Sequence, residues 1–380
     1  QHRKANDGNF PETVAVTVWG LEIIKTKGES LGIVLGLIGA VPVREATGRI
    51  VSFDLIPLQE LGRPRIDVIA SLSGIFRDTF GNVVELLDDL FAKAASEELP
   101  IDTDLATIFP PDISYKGEYN YIRKHSQAME SDGITRSSSR LFSQPSGDFG
   151  SMVNEQVSSG DWQDSSELGD QWERRNTFSF GKGSESSGTA RPEVLKSLLS
   201  TTDRIIQEVE SVEYGLTDIQ EYYANTGAIK KAAENNRIDD KKVAISVVEA
   251  YEQTVNPKEL EETLRLEYRS KLLNPAWAEG MRKQGSGGAY EISTRMTALI
   301  GWSGTCDFTD NFVYDQAAER YALDADMAAH LRQVNPEAFR NIVKRMLEAN
   351  GRGMWTPGEG VLEKLQELYE ETEDEIEGVM

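Results

Sequence analysis

The sequence is poor in cysteine and histidine, two residues that often hold metal ions or serve in catalysis. Among its 380 residues are one cysteine, Cys306, and three histidines, His2, His125 and His330. A single cysteine excludes a disulfide framework, and a thiolate metal cage, built by this chain alone. We therefore expect a reducing compartment, and we expect any histidine chemistry to fall on very few positions.

Long apolar runs and basic patches are missing as well. No run approaches the roughly 18 apolar residues of a membrane span, so we predict no transmembrane segment. The first residues, QHRKANDGNFPE, do not have the charged, apolar and small-residue order of a secretory signal. The formal net charge of −23 repels phosphate backbones, so we expect no nucleic-acid partner.

The motifs of nucleotide binding and of serine hydrolases are also missing. There is no G-x-x-x-x-G-K-[ST] loop, and SLSGIF lacks the G-x-S-x-G pattern. Gly32, Gly36 and Gly39 do not have dinucleotide-binding spacing and lie in a helical pattern, where we interpret them as sites of close helix packing. The chain therefore contains no recognisable ATPase of its own.

Apolar strands alternate with amphipathic helices in the first hundred residues. TVAVTVWG ends at Gly20 and RIDVIASLSG ends at Gly74, and a helical pattern follows each. This alternation is typical of a parallel sheet, whose ligands collect at the carboxyl ends of the strands. We predict an α/β fold class, with an N-terminal parallel-sheet α/β region followed by a mainly α-helical C-terminal region.

Composition predicts three segments. Residues 1–125 form an α/β domain, 126–191 a Ser/Gly-rich loop region with aromatic anchors, and 192–380 a mainly helical domain with a possible short strand. Apolar residues from Leu195 to Val212 recur on one face and predict helix. The sequence of the possible strand is VAISVVEA. The aromatic residues of the loop region either dock it on a core or line a ligand site, and they are Trp162, Trp172, Phe178 and Phe180.

A few polar positions stand out as candidates for chemistry. His125 lies in YNYIRKHSQ, where an imidazole can accept a proton or bind a metal, although a basic surface helix explains the pattern equally well. Asp218 and Glu221 suit a hard cation such as Mg²⁺, but two carboxylates three residues apart also occur on any solvated helix face. Arg77 and Asp78 follow a predicted strand end, where Asp78 could also cap the next helix or pair with Arg77.

Several segments in this order resemble one family. Together they are similar to the carboxyl-terminal part of the large porphyrin-binding subunit of magnesium chelatase, which is related to the large subunit of aerobic cobaltochelatase. The resemblance covers essentially the whole chain. Among the segments that carry it are VWGLEIIKTKGESL, LGRPRIDVIASLSGIFRD, YNYIRKHS, YGLTDIQEYYANTG, GSGGAYEISTRMTALIGW and NPEAFRNIVKRMLEANGRGMW.

The resemblance implies insertion of Mg²⁺ into protoporphyrin IX in chlorophyll or bacteriochlorophyll biosynthesis. ATP would be hydrolysed by partner subunits, an AAA+ ATPase and its integrin-like-domain partner, in bacterial cytoplasm or chloroplast stroma. Two alternatives remain: a cobaltochelatase fragment, or a non-catalytic piece that docks the AAA+ subunits through its acidic surface.

The family's chemistry implies roles for the candidate residues. Metal insertion needs a base for two pyrrole protons, a path for partly dehydrated Mg²⁺ and partners for the porphyrin propionates. We assign His125 as base or transient ligand, and Asp218 and Glu221 as metal-path carboxylates. The residues expected to contact porphyrin are Arg65 and Arg77 at the propionates, and Tyr222 and Tyr290 at the ring.

Overall fold

The computed structural model describes residues 2–99, 117–183, 187–211, 213–250 and 257–378. The chain divides into two compact units that alternate along the sequence. The first comprises Gln1–Val153, Ser166–Ser211 and Ala228–Pro257, and the second comprises Asn154–Ser165, Val212–Gly227 and Lys258–Met380. The domain boundaries that we predicted at residues 125 and 191 stay a prediction.

The first unit is built on a mostly parallel sheet. Its strands lie in the order β9-β8-β1-β4-β5-β6-β7, and the pairs β9–β8, β8–β1, β1–β4 and β4–β5 are parallel, whereas β5–β6 and β6–β7 are antiparallel. A separate antiparallel hairpin is formed by β2 and β3. The strands are β1 Thr13–Val18, β2 Ala40–Arg44, β3 Ile50–Leu55, β4 Asp67–Leu72, β5 Leu141–Ser143, β6 Phe178–Ser179, β7 Thr189–Ala190, β8 Thr202–Val209 and β9 Ala244–Glu249.

Helices cover this sheet, as the alternating pattern predicts. Every residue of β1 and of β4 is buried, which is characteristic of a parallel strand with both faces covered. The helices of the first unit are His2–Ala5, Gly20–Thr26, Glu29–Ile38, Leu58–Leu61, Gly74–Thr79, Gly81–Ala95, Tyr121–Ser131, Ser166–Arg175, Pro192–Ser200 and Ala228–Asn236. The predicted α/β class of the N-terminal region is confirmed.

The helix that we predicted from Leu195 to Val212 is wrong beyond residue 200. Pro192–Ser200 is helical, but Thr202–Val209 is strand β8, beside β1 near the middle of the sheet. The apolar residues of β8, Ile205, Ile206 and Val209, have the spacing i, i+1, i+4 that also fits a helix face, and periodicity over so short a segment cannot separate a strand from a helix. Val212 lies outside the described residues. The short strand predicted in VAISVVEA is confirmed as β9.

The second unit is mainly helical, as predicted for the C-terminal region. Its longest helix, Ser286–Cys306, is buried along most of its length. The other α-helices are Val153–Ser159, Gln220–Tyr222, Leu260–Ser270, Pro275–Lys283, Asn311–Ala318, Ala325–Val334, Pro336–Gly351 and Val361–Glu377, of which the first begins at the last residue of the first unit. Two segments are π-helical, Tyr223–Gly227 and Glu319–Leu323, and strand β10 is Lys258–Glu259. No described helix is both long and apolar enough to cross a bilayer.

Two local interpretations change with the structure. No atom of the described residues lies within 4 Å of the position of a Cβ at Gly32 or Gly36, so the close packing that we expected at these two glycines is wrong. Gly39 instead ends the helix Glu29–Ile38 with a left-handed φ of 80°. In the Ser/Gly-rich stretch, Trp162 and Trp172 are buried, which favours anchors over a ligand wall.

The Ser73 side chain joins the ends of two central strands. Its hydroxyl accepts hydrogen bonds from the Phe76 N–H, where it caps helix Gly74–Thr79, and from the Gly20 N–H directly after β1. We expect Ser73→Ala to lower the free energy of unfolding by about 1–2 kcal/mol, because a helix cap and a second acceptor are lost. Urea denaturation measures this.

The matched control is Ser131→Ala. The exposed Ser131 hydroxyl donates to the Ala128 carbonyl of its own helix, so its loss should change stability by less than about 0.5 kcal/mol. Equal losses in the two variants would contradict the role of Ser73.

Candidate functional site

The parallel strands β1 and β4 begin on one side of the sheet, which we call the amino edge, and end on the opposite side, which we call the carboxyl edge. Asp67 is the first residue of β4 and pairs with Thr13, whereas Leu72, its last residue, pairs with Val18. At about 3.3 Å per residue, Asp67 and Ser73 lie roughly 20 Å apart along the strand. Residues of the amino edge therefore cannot act on a small group bound at the carboxyl edge.

His125 lies at the amino edge, between two carboxylates. Helix Tyr121–Ser131 positions its ring so that Nδ1 is 2.9 Å from Oδ2 of Asp67 and Nε2 is 3.3 Å from Oε2 of Glu12. The Arg140 guanidinium holds both oxygens of Asp67, at 2.6 and 3.0 Å. Lys124 contacts the same Glu12 oxygen at 2.9 Å. The imidazole thus links the residue before β1 to the first residue of β4.

Electrostatics in this network favour the imidazolium form of His125. Burial opposes the charge, but the hydrogen bonds to Asp67 and Glu12 outweigh it and raise the pKa of His125. The hydrogen bond from His125 lowers the pKa of Glu12 to about 2. Burial disfavours the Asp67 carboxylate, yet Arg140 and His125 lower its pKa to about 2 as well. A buried cation between two anions stabilises this edge of the sheet.

The same arrangement is poorly suited to metal ligation. A histidine ligand must be neutral, and Mg²⁺ prefers oxygen ligands. Within the described ranges, no group of three or more His, Cys, Asp or Glu residues is placed to hold a metal ion. The assignment of His125 as base or transient ligand stays a prediction.

Arg65 is fully buried, and its donors are used inside the first unit. Its guanidinium makes two 2.7 Å hydrogen bonds to the Glu97 carboxylate and donates to the carbonyls of Ile38, Gly39 and Ile56. These contacts favour a structural role, and the propionate role of Arg65 stays a prediction.

Arg77 lies at the carboxyl edge, in helix Gly74–Thr79. Its guanidinium holds both oxygens of Asp78, at 2.7 and 2.9 Å, and donates to the carbonyls of Gln144 and Pro145 at 2.8 and 2.9 Å. Asp78 therefore pairs with Arg77, while Ser73 caps the helix. The Arg77 hydrogen bond lowers the pKa of Asp78. Arg77 ties the loop after β5 to the end of β4, and its propionate role stays a prediction.

Apolar side chains are exposed at this carboxyl edge. Leu21 and Ile24 lie on the helix after β1, Ile75 on the helix after β4, and Phe149 in the loop after β5; we call these four residues the carboxyl-edge patch. The Phe149 side chain is 57% exposed. Clustered exposed apolar residues mark binding surfaces more often than single ones do.

Glu208, a carboxylate that our sequence interpretation missed, is buried at the same edge. It is the second-last residue of β8, where its Oε2 accepts a hydrogen bond from the Ser30 hydroxyl and its Oε1 has no hydrogen-bond partner among the described residues. Burial raises the pKa of Glu208, and perturbed carboxyl groups of this kind recur at functional sites. The signal for Glu208 in the sequence was weak, because this residue lies in TDRIIQEV, a segment rich in polar residues that we had interpreted as helix.

Asp218 lies in a buried ion-pair cluster of the second unit. Its carboxylate binds Lys271 through one oxygen and Arg295 through the other. Arg295 also contacts Glu291 at 2.6 Å and lies 4.7 Å from the centre of the Trp277 ring. Two cations on one carboxylate leave it poorly placed to bind Mg²⁺, so its metal role stays a prediction without geometric support.

The remaining candidates differ in exposure. Glu221 is exposed, three residues beyond Asp218, and Tyr222 is buried next to it. Tyr290 is 63% exposed on the helix Ser286–Cys306, one residue before Glu291. Arg295 therefore links Asp218 to the turn that carries Tyr290. Only Glu221 and Tyr290 of these four candidates expose their side chains, and all four roles stay predictions.

His125 generates a prediction about stability and pH. Its pKa is raised from the ordinary 6.5, so its stabilising contribution is complete below that value and is lost as the pH rises through the folded pKa. We expect the free energy of unfolding to fall across this window by up to about 1.4 kcal/mol per pH unit. In His125→Gln this slope should be absent.

Urea denaturation between about pH 5.5 and 8.5 measures the slope. The control is His330→Gln, because the His330 ring hydrogen-bonds to a neutral group, the Arg282 carbonyl, and its loss should leave the slope of the parent intact. A slope that survives in His125→Gln would show that other groups produce it.

The ion pairs of Asp218 lead to a prediction about the stability of the second unit. Asp218→Asn leaves Lys271 and Arg295 without their shared anion, so we expect a loss of about 3 kcal/mol in the free energy of unfolding. The exposed Glu221→Gln should lose less than about 0.5 kcal/mol. Thermal unfolding with and without Mg²⁺ tests the alternative, since a metal ligand predicts stabilisation of the parent by Mg²⁺ that Asp218→Asn abolishes.

Comparisons with known proteins agree with the resemblance in the sequence. A family model described as CobN/Magnesium Chelatase matches residues 1–362. The magnesium-chelatase H subunit of Chlorobaculum parvum is 40% identical over an alignment of 381 positions that covers 100% of this chain and 28% of that protein. The chloroplastic magnesium-chelatase protein ChlH of Oryza sativa subsp. indica is 38% identical over 98% of this chain and 26% of that protein.

The structural comparison gives the same family. The solved catalytic subunit of cobaltochelatase from Mycobacterium tuberculosis superposes with a TM-score of 0.89 and 27% identity, over 98% of this chain and 30% of that one. The chain therefore spans less than a third of the length of these relatives. The resemblance stated from the sequence is confirmed, and the chain belongs to the CobN/magnesium chelatase family.

Proposed function

We propose that this chain is part of the porphyrin-binding subunit of magnesium chelatase, which inserts Mg²⁺ into protoporphyrin IX. The proposal is supported by relatives named magnesium-chelatase subunits at 40 and 38% identity. Because the chain spans less than a third of their length, we assign the full reaction to the complete subunit. ATP would be hydrolysed by an AAA+ partner subunit that works with an integrin-like-domain subunit. The host compartment would be bacterial cytoplasm or chloroplast stroma.

The observation that carries the proposal is the carboxyl-edge patch. A tetrapyrrole presents a broad, flat apolar face, and burying apolar surface contributes about 25 cal/mol per Å². Open parallel sheets bind ligands at the carboxyl ends of their strands. Leu21, Ile24, Ile75 and Phe149 offer exposed apolar area at that edge, so the patch is where we place one face of the macrocycle.

Metal insertion must remove two pyrrole protons as the metal enters. At the carboxyl edge, burial raises the pKa of the Glu208 carboxyl group above its ordinary 4.5, and a carboxyl group with a raised pKa is our candidate for proton exchange at this edge. His125 lies at the opposite edge, so in this arrangement it would act on the sheet rather than on the ligand. Mg²⁺ releases its water reluctantly, which gives a physical reason for coupling the reaction to ATP hydrolysis.

Cobaltochelatase is the second candidate function. It is favoured by the TM-score of 0.89 with a cobaltochelatase catalytic subunit, because this fold accommodates that reaction. Higher identity to magnesium-chelatase subunits favours the first candidate. The two separate when the complete subunit, with its ATPase partners, is offered protoporphyrin with Mg²⁺ or a corrin-type tetrapyrrole with Co²⁺.

Protoporphyrin binding tests the proposal directly. We expect this chain to quench protoporphyrin IX fluorescence, and we expect Phe149→Ser to weaken the apparent Kd about tenfold, since an exposed aromatic contact is worth about 1–1.5 kcal/mol. The control is Val41→Ser on the β2–β3 hairpin, 46% exposed and outside the patch. Absence of quenching, or equal effects of the two substitutions, would argue against this placement.

A further inference from the structure

We infer that Phe149 contacts the macrocycle, and that Arg77 and Gly74 are positioning residues that fix the Phe149 ring. This inference rests on the proposed function. It assigns Arg77 a role different from the propionate partner expected from the sequence, and it assigns ligand-related roles to Phe149 and Gly74.

The loop that carries Phe149 is held from inside the first unit. Gly147 and Gly150, on either side of Phe149, both have left-handed φ angles, 87° and 76°. Such angles favour glycine and define a tight path for the chain. The Arg77 guanidinium donates to the carbonyls of Gln144 and Pro145 at the start of the loop, and Arg175 contacts the Asp148 carboxylate at 3.0 Å. The loop is therefore anchored directly before Phe149.

Arg77 also contacts the ring itself. Its guanidinium carbon lies 5.7 Å from the centre of the Phe149 ring and 5.4 Å from that of Phe180. Phe180 is buried, whereas Phe149 is exposed, so the cation lies near an internal ring and a surface ring. A cation over an aromatic face contributes about 0.5–1 kcal/mol at exposed sites and more when desolvated. Nε and Nη2 of Arg77 both donate to the Asp78 carboxylate. A propionate that paired with these two atoms would therefore have to displace Asp78.

Gly74 completes the support of the ring. A Cβ at Gly74 would lie 2.5 Å from Cδ1 and 2.8 Å from Cε1 of Phe149. Real Cβ atoms do not approach carbon atoms this closely, so any larger residue at position 74 must move the ring. The ring thus lies against the first residue of the helix after β4, and only a glycine permits this position.

The consequence is a preorganised aromatic surface. An exposed phenylalanine normally samples several rotamers and loses that freedom when a ligand orders it. Here the contacts with Arg77 and Gly74 and the anchored loop hold the Phe149 ring in one position before a ligand binds. Preorganisation of this kind increases affinity without adding a contact. Affinity for a flat ligand should therefore depend on Arg77 and Gly74 through Phe149.

The test is a set of double-mutant cycles read by protoporphyrin IX fluorescence. We expect Gly74→Ala to weaken the Kd about fivefold in the parent and not at all in Phe149→Ser, where the clashing ring is gone. Arg77→Lys keeps the charge but loses the planar fork, and it should weaken the Kd about threefold or more in the parent, with a much smaller effect in Phe149→Ser. Unfolding midpoints measured in parallel separate lost positioning from lost stability.

The matched control is Gly81→Ala. Gly81, like Gly74, is the first residue of a helix, but no atom of the described residues lies within 4 Å of the position of its Cβ. The Kd of this variant should equal that of the parent in both backgrounds. If Gly74→Ala and Arg77→Lys weaken binding equally with and without the Phe149 ring, the positioning inference is overturned while the proposed function stands. If the parent does not bind protoporphyrin, the proposed placement of the macrocycle on the carboxyl-edge patch fails, and the ligand contact of Phe149 fails with it.

Discussion

The parallel pairing of β1 with β4 is the constraint on which the rest of the first unit depends. Its register runs without interruption from Thr13 opposite Asp67 to Val18 opposite Leu72. At the amino edge of this pair lie the charged groups of Glu12, Asp67, His125 and Arg140, which neutralise one another. At the carboxyl edge lie the turns at Gly20 and Ser73. A shift of this register would move Asp67 relative to Glu12, the residue before β1, and so break the link that His125 makes between the two carboxylates. It would also separate the Ser73 hydroxyl from the Gly20 N–H that donates to it.

Two buried carboxylates, one in each unit, are compensated at short range by cations of the chain. At the amino edge, Asp67 is shared between Arg140 and His125, and in the second unit Asp218 is shared between Lys271 and Arg295. Both arrangements fit the general cost of burying a single charge, which exceeds that of a paired one by several kcal/mol. They explain why Asp218, a predicted metal ligand, is occupied by cations of the chain itself.

The architecture was predictable from the sequence, whereas the roles of single polar residues were less so. Alternating strands and helices identified β1 and β4, because their β-branched runs end at glycine or serine. The pattern failed at β8, since its apolar residues Ile205, Ile206 and Val209 do not alternate with polar ones and have the spacing of a helix face. Carboxylates gave the weakest signal, because the partners that decide their function are distant in sequence: Asp67 and Arg140 are 73 residues apart, and Asp218 and Arg295 are 77 apart.

Phe149 is an apolar residue whose role was also not predictable from the sequence. In the sequence it is one aromatic residue in a Ser/Gly-rich stretch, and its neighbours SGDFGS predict only a turn. Its place over Gly74 arises because β5 is parallel to β4, which brings the following loop to the same edge as the helix after β4. The polar groups that would be expected to bind a charged ligand, Arg65 and Arg77, are used to hold backbone in place. In the proposed arrangement, recognition at this edge depends on the apolar surface that Arg77 helps to organise, and the charge of Arg77 acts on the ligand only through the position of the Phe149 ring.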